Sequence, residues 1–246
     1  MVRRFRADLH VHTCLSPCGD LMMSPQKIAT RASQLNIGII AICDHNSAEN
    51  VVAVARAAEA RNVVVLPGME VCTKEEIHLL AIFETFTSAR SMQTMVYDHL
   101  HGKNDPDVFG LQVVVNERDE VVTFEDRLLI GAVDMPVEEI VEETHRLGGI
   151  AIASHIDRES YSIISQLGFI PESLAFDALE LSVHTRNQEA RDRFASSAGY
   201  TFVRNSDAHF LDDVGKNSTE YVLEAPTFCE IRKALRGEDG RMVCES

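Results

Sequence analysis

The chain has 246 residues, 45% apolar and 25% charged, with 38 acidic against 23 basic side chains and a net charge of −15 with histidine neutral. This is a globular composition, long enough to bury a core without disulfide or metal staples, and it excludes disorder and collagen-like structure. Apolar runs such as 37–43 and 63–67 fall short of the roughly 20 residues that cross a bilayer, and the acidic balance disfavours polyphosphate backbones, so neither a membrane nor duplex nucleic acid is expected as a partner.

Residues 1–6 are basic, but Asp8 and His10 arrive before an apolar h-region can form, so a cytoplasmic protein is expected. Strands are predicted near 6–12, 37–43, 63–67, 77–83, 149–154, 178–183, 200–205 and 219–223, with helices at 25–35, 47–61, 136–147, 187–198 and 226–236. Ser24 and Pro25 suit the N-cap and first position of the first helix. The segment 84–135 breaks the rhythm and reads as an insertion or lid, with a hairpin turning at 116–119. The last helix is followed by an acidic tail, 237–246, and the whole reads as one catalytic domain. The six scattered cysteines suggest a reduced state.

Strands alternating with helices predict a mainly parallel α/β sheet, open or closed. The polar residues favour a barrel. His10 and His12, Asp44 and His45, Glu70, His155, and Asp207 and His209 all fall at C-terminal ends of predicted strands, which in a βα barrel open on one face.

Two imidazoles two residues apart on a strand share a face, so His10 and His12 can bind one ion together. Asp44 and His45 end the run 39–43, His155 ends the run 150–154, and Asp207 with His209 repeats the two-apart spacing. Glu70 and His78 each place an ionisable group in an apolar stretch, where a charge needs a partner. Imidazole nitrogen and carboxylate oxygen together suit zinc, manganese or iron(II).

The order His10-x-His12, Asp44-His45, Glu70, His78, His155 and Asp207-x-His209 resembles the PHP (polymerase and histidinol phosphatase) superfamily. That resemblance implies a distorted seven-stranded βα barrel holding two or three divalent ions. By it, His10, His12, Glu70 and Asp207 hold one ion, Glu70, His78 and His155 a second, and Asp20, His45 and His209 a third, with Asp8 and Asp44 orienting imidazoles. The loop 16–20, Ser-Pro-Cys-Gly-Asp, is longer than the family's usual Ser-Asp-Gly turn. Three dications less three carboxylates leave a local excess of about +3, which attracts an anion despite the acidic chain.

The expected activity is hydrolysis of a small phosphomonoester or phosphodiester, such as a nucleotide or histidinol phosphate, by a metal-bridging hydroxide. Besides Asp44, the candidate catalytic groups are Arg158, which could fork onto phosphate or pair with Asp157 or Glu159, and His184, which could protonate a leaving oxygen. Cys14 and Cys18 read as loop packing, His99 and His101 as a solvated loop, and His145 as exposed. Two other readings stay open. A metal-dependent amidohydrolase would use similar ligands, although no lysine stands at a suitable strand end; a non-catalytic metal-stabilised module would be expected to have lost ligands.

Overall fold

The computed structural model describes residues 1–185, 194 and 199–244. Its strands are β1 (Arg3–Val11), β2 (Ile39–Ile42), β3 (Val64–Cys72), β4 (His78–Ile82), β5 (Val113–Val115), β6 (Val121–Phe124), β7 (Ile150–Ala153), β8 (Ala178–Leu181), β9 (Phe202–Arg204), β10 (Thr219–Leu223) and β11 (Met242–Val243). Nine of them form one sheet in the order β11-β10-β1-β2-β3-β4-β7-β8-β9, while β5 and β6 form a separate hairpin.

The seven strands from β1 to β9 curl into a nearly closed barrel, because β1 is long enough to serve two partners along one edge. Its first half pairs with β10, Arg3 opposite Leu223 through Ala7 opposite Thr219. Beyond that, Val11 bridges Ala208, and the Leu9 N–H donates to Asn205 Oδ1 at 2.7 Å. β10 and β11 are thus added strands outside the seven-stranded ring.

The sheet is less parallel than its sequence suggests. β4 runs antiparallel to both β3 and β7, because the link 73–77 is too short for a crossover and can only turn back as a hairpin. The reversal puts the first residue of β4, His78, opposite Cys72 at the end of β3, and Leu79 opposite Ala153 at the end of β7. His78 therefore reaches the rim that the parallel strands reach with their C-terminal ends.

Period-two alternation divides the core. Ile39, Ala41, Leu80, Ile82, Ile150 and Ile152 pack inside with Phe228, Ile231 and Leu235 of the C-terminal helix. Ile40 and Ile42 turn outward onto α1 (Pro25–Gln34) and α2 (Val51–Ala58). Ala151, Ala153, Leu79 and Ala81 pack against α3 (Phe86–His99) and the α5 helix (Val137–Arg146), with α4 (Pro106–Phe109) between them in the chain. α6 (Ile163–Leu167) and the C-terminal α7 (Phe228–Arg236) complete the described helices. Among the described residues no helix is long and apolar enough to cross a membrane. The helix predicted at 187–198 lies outside the described residues, apart from Phe194.

Two helix starts differ from expectation. Ser24 stands at the N-cap of α1 but makes no capping bond; it donates instead to Asp119 at the tip of the β5–β6 hairpin, and Asp119 accepts the Gln26 N–H at 2.9 Å. α2 begins at 51 rather than 47, because the Asn50 amide is committed to Thr13 Oγ1, the Val113 carbonyl and the Val115 N–H. The hairpin within 84–135 is thereby tied to the first two helices.

Gly149, which precedes β7, has no room for a side chain: a Cβ there would lie 2.7 Å from the Phe83 ring and 2.8 Å from the Ile82 carbonyl oxygen. Gly149→Ala is expected to destabilise by about 1–3 kcal/mol through overpacking, read in thermal unfolding as a fall of roughly 2–12 °C for a chain of this size. An unchanged melting temperature would show that Phe83 is free to move.

Candidate metal centre

The rim gathers its polar groups through local backbone devices. Between Asp8 and Val11, β1 uses one more residue than β2. This bulge resets the alternation, so Ala7 and Leu9 join the inner core while His10 and His12 turn into the site. Just past their strands, His155 has φ 28° and Asp207 φ 50°, a conformation that costs non-glycine residues about 1–3 kcal/mol and tends to mark functional sites. The His155 backbone is held there by its N–H donating to Glu180 Oε2 at 2.9 Å.

Glu70 lies at the centre. Its carboxylate approaches His45 and His78 at 3.1 Å, His10 at 3.3 Å, His155 at 3.4 Å and His12 at 3.5 Å. Asp207 Oδ1 lies 3.1 Å from His12, 3.2 Å from His10 and 3.5 Å from His209. Six imidazoles and two carboxylates thus cluster together, all buried except Asp207 and His209, which are partly exposed. Donor atoms of His10, His12, Glu70 and Asp207 lie within 4.8 Å of one another, as do those of His45, Glu70 and His78, and of His12, His45 and His209.

The donors fit divalent cations. Glu70 Oε1, Asp207 Oδ1, His45 Nδ1 and His155 Nδ1 are buried with no hydrogen-bond partner, an arrangement that costs free energy unless something else satisfies them. Burial opposes ionisation of both carboxylates, yet the imidazoles of His78 and His10 hold Glu70 well below the usual range, and His10 and His12 do the same for Asp207. The imidazoles divide. Against the effect of burial, Glu180, Asp207 and Glu70 raise His10, and Cys18 and Glu70 raise His45 to about 10. Burial together with neighbouring cationic rings lowers His12 and His78.

A second layer aims the rings. Glu180, on β8, accepts from His10 Nδ1 at 3.0 Å, from the His155 N–H and from Asn205 Nδ2 at 2.7 Å. Asp44 is not at the reacting centre. It accepts from Thr13 and from Ser16 Oγ, and Ser16 in turn faces His12 Nδ1 at 2.9 Å, so Asp44 acts on that ring through a hydroxyl. Asp8 orients no imidazole; it accepts from Ser206 and the Gly215 N–H, pinning the loop that carries Asp207, and burial pushes it up to about 6. Tyr161 stacks on His78 at 4.7 Å between ring centroids. Glu180 and Tyr161 escaped the sequence reading; a lone glutamate within the buried run 178–181 was the one signal available for the first.

Since every partner of Glu180 is a donor, Glu180→Gln would set an amide N–H against one of them. It is expected to weaken metal affinity about 10–100-fold, the usual effect of removing a carboxylate behind a ligating histidine, and titration with zinc or manganese would measure it. An unchanged affinity would mean that His10 needs no such support.

Three expected groups stand elsewhere. The Asp20 carboxylate accepts the Met22 N–H at 2.7 Å and belongs to none of the donor groups, because the longer loop spends it on its own turn. His184 is exposed, on a turn held by Asp157 through Ser182 and Thr185. Arg158 pairs with neither Asp157 nor Glu159 but reaches Asp207 Oδ2 at 2.7 Å, at the edge of the cluster. His145 is only partly exposed and pairs with Asp177 at 2.8 Å.

Cys14 is buried against Val113 and Val115, as a packing residue should be. Cys18 is exposed instead. Against the effect of burial, His209 and His45 lower its thiol to about 6.

Fold and donor set together define a metal-binding α/β barrel. A PHP domain model matches residues 8–189, and a PHP-associated model matches 184–239. The chain belongs to the PHP domain family, whose members are metal-dependent hydrolases of phosphoesters. Similar solved structures include the lesion-specific endonuclease Q of Pyrococcus furiosus, with TM-score 0.74 and 18% identity over 98% of this chain and 58% of that one. A protein of Bifidobacterium adolescentis described as a metal-dependent phosphoesterase has TM-score 0.61 and 16% identity, covering 94% of this chain and 96% of its own. An uncharacterised Bacillus subtilis protein, YqxK, is 29% identical over 102 residues, 39% of this chain and 26% of YqxK. The chain therefore spans a little over half of the endonuclease and about a quarter of YqxK.

A complex of endonuclease Q with a 27-mer duplex, its abasic lesion at the active site, has TM-score 0.75 to this chain at 19% identity. This overturns the expectation that duplex nucleic acid is no partner. Net charge is a sum over the whole surface, whereas an anionic backbone responds to the local field, which cations in a cleft can reverse.

Proposed function

We propose that the chain is a metal-dependent phosphoester hydrolase acting on a small phosphorylated substrate, with two or three zinc, manganese or iron ions at the rim. The observation that carries this is Glu70, one carboxylate within 3.5 Å of five imidazoles. His10, His12, Glu70 and Asp207 would hold one ion, His78 and His155, at 3.1 and 3.4 Å from Glu70 Oε1, would hold a second with it, and His45 with His209 would form part of a third. Ions there supply Lewis acidity toward phosphoryl oxygens and acidify water into a nucleophile near neutral pH. Arg158 offers a guanidinium fork at the cluster edge, released from Asp207 when phosphate oxygens compete. The insertion 84–135 meets the loop 16–20, with Gly110 close against the Pro17 carbonyl.

A second reading, the phosphodiester of a nucleic acid, is favoured by the likeness to endonuclease Q over 98% of this chain. The experiment is metal analysis together with product release from p-nitrophenyl phosphate, bis(p-nitrophenyl) phosphate, mononucleotides and a duplex containing one abasic site. Turnover of the small esters supports the first reading; strand cleavage alone supports the second. A metal-loaded protein that hydrolyses none of them removes both.

A further inference from the structure

We propose that Tyr161 is a specificity-determining residue: its open ring face stacks on a planar group of the substrate and so selects phosphoesters that carry a nucleobase. This role deepens the proposed function and rests on its phosphoester reading.

Tyr161 stands behind a candidate ion ligand. Its ring lies on that of His78 at 4.7 Å between centroids, with the two planes 22° apart, and its carbonyl accepts the His78 N–H at 2.9 Å. An imidazole therefore covers one face of the phenol ring. The residue is nevertheless 43% exposed, which leaves the other face and the edge to solvent.

The backbone is bent to present this ring. Tyr161 has φ 56°, a left-handed conformation that is an outlier for a bulky residue and tends to persist at ligand sites. Glycine would adopt it without strain, so the turn itself does not call for a tyrosine. Ser162 holds the bend, donating through Oγ to the Arg158 carbonyl at 2.8 Å and accepting the Ser165 N–H at 3.0 Å at the start of α6. Arg158, three residues before Tyr161, reaches Asp207 at the edge of the cluster. One short stretch, 155–161, thus carries a candidate ion ligand, a guanidinium suited to phosphate and an exposed aromatic face.

The spacing favours a base over a simple phenyl ester. A ring stacked on Tyr161 would lie about 4.5–7 Å farther out, two ring layers from the plane in which His78 would meet an ion. Such a ring must be joined to the phosphoryl group through a spacer, as a base is through its sugar. Stacking also accepts any base, because each has a π-face. Support of the His78 ring, by contrast, would use only the covered face and would not distinguish one phosphoester from another.

The test measures, by calorimetry on the metal-loaded protein, the affinities of two phosphonates that resist hydrolysis. One is the analogue of adenosine 5′-monophosphate, the other that of ribose 5-phosphate, which lacks only the base. The first is expected to bind about 5–150-fold more tightly, the range for one base on one aromatic ring. Tyr161→Ala is expected to erase that gap by weakening the nucleoside form alone, with ions per chain unchanged, and Tyr161→Phe to keep it. Tyr161→Leu, which retains bulk over His78 without a π-face, gives the same reading if the alanine variant fails to fold. No gap in the unaltered protein, a gap kept by Tyr161→Ala, or an equal loss of both ligands there overturns the role and leaves phosphoester hydrolysis standing. A metal-loaded protein that binds neither phosphonate and hydrolyses no ester removes both.

Discussion

Replacing Glu70 by glutamine is expected to nearly abolish hydrolysis and to lower the number of bound ions while leaving the fold intact. The change removes one negative charge from a group facing five imidazoles. It also replaces one carboxylate oxygen with an amide nitrogen, which cannot act as a ligand. Lewis-acid stabilisation is worth several kcal/mol, and each 1.36 kcal/mol is tenfold in rate, so kcat should fall on the order of 100–1,000-fold or more. The side chain keeps its volume, and circular dichroism should not change. Full activity with full metal content would show that Glu70 only fills space among the rings.

Removing the ions by chelation is expected to lower the melting temperature substantially, and more so at alkaline pH. A ligand held at a thousand times its dissociation constant stabilises by about 4 kcal/mol, which for a chain of this size corresponds to roughly 8–16 °C. Without ions, part of the charge in the cluster is balanced by protons. His45, raised from an ordinary imidazole value to about 10, contributes stability that is complete below about pH 6.5 and is lost as pH rises toward 10. Ion binding runs the other way, because ligands must shed protons to coordinate. The gap between loaded and chelated protein should therefore widen across that interval. Scanning calorimetry at several pH values measures it, and a gap that narrows would mean that the His45 imidazole is not part of the coordination.

Much of the candidate site was legible because charge in an apolar strand is costly and therefore conspicuous. His10, His12, Glu70, His78, His155, Asp207 and His209 all interrupt or end buried runs, and all of them meet. Asp20 illustrates the limit. Nothing in its letter says that the turn will spend its carboxylate on the Met22 N–H while its own N–H is held by the His209 carbonyl.

The sequence by itself determined the class: alternating strands and helices, a hairpin turning at 116–119, and strand-end imidazoles in an order that implies a metal-binding barrel. Tertiary structure alone decided the reversed direction of β4, the bulge that turns His10 and His12 inward, the cap that Asp119 supplies to α1, and the place of Glu180 behind His10. The reason is one of range. Periodicity and burial cost act over a few neighbouring residues and are written in order along the chain, whereas register, strand direction and hydrogen-bond partners are choices among distant groups, made when the barrel closes and each buried donor must find its acceptor.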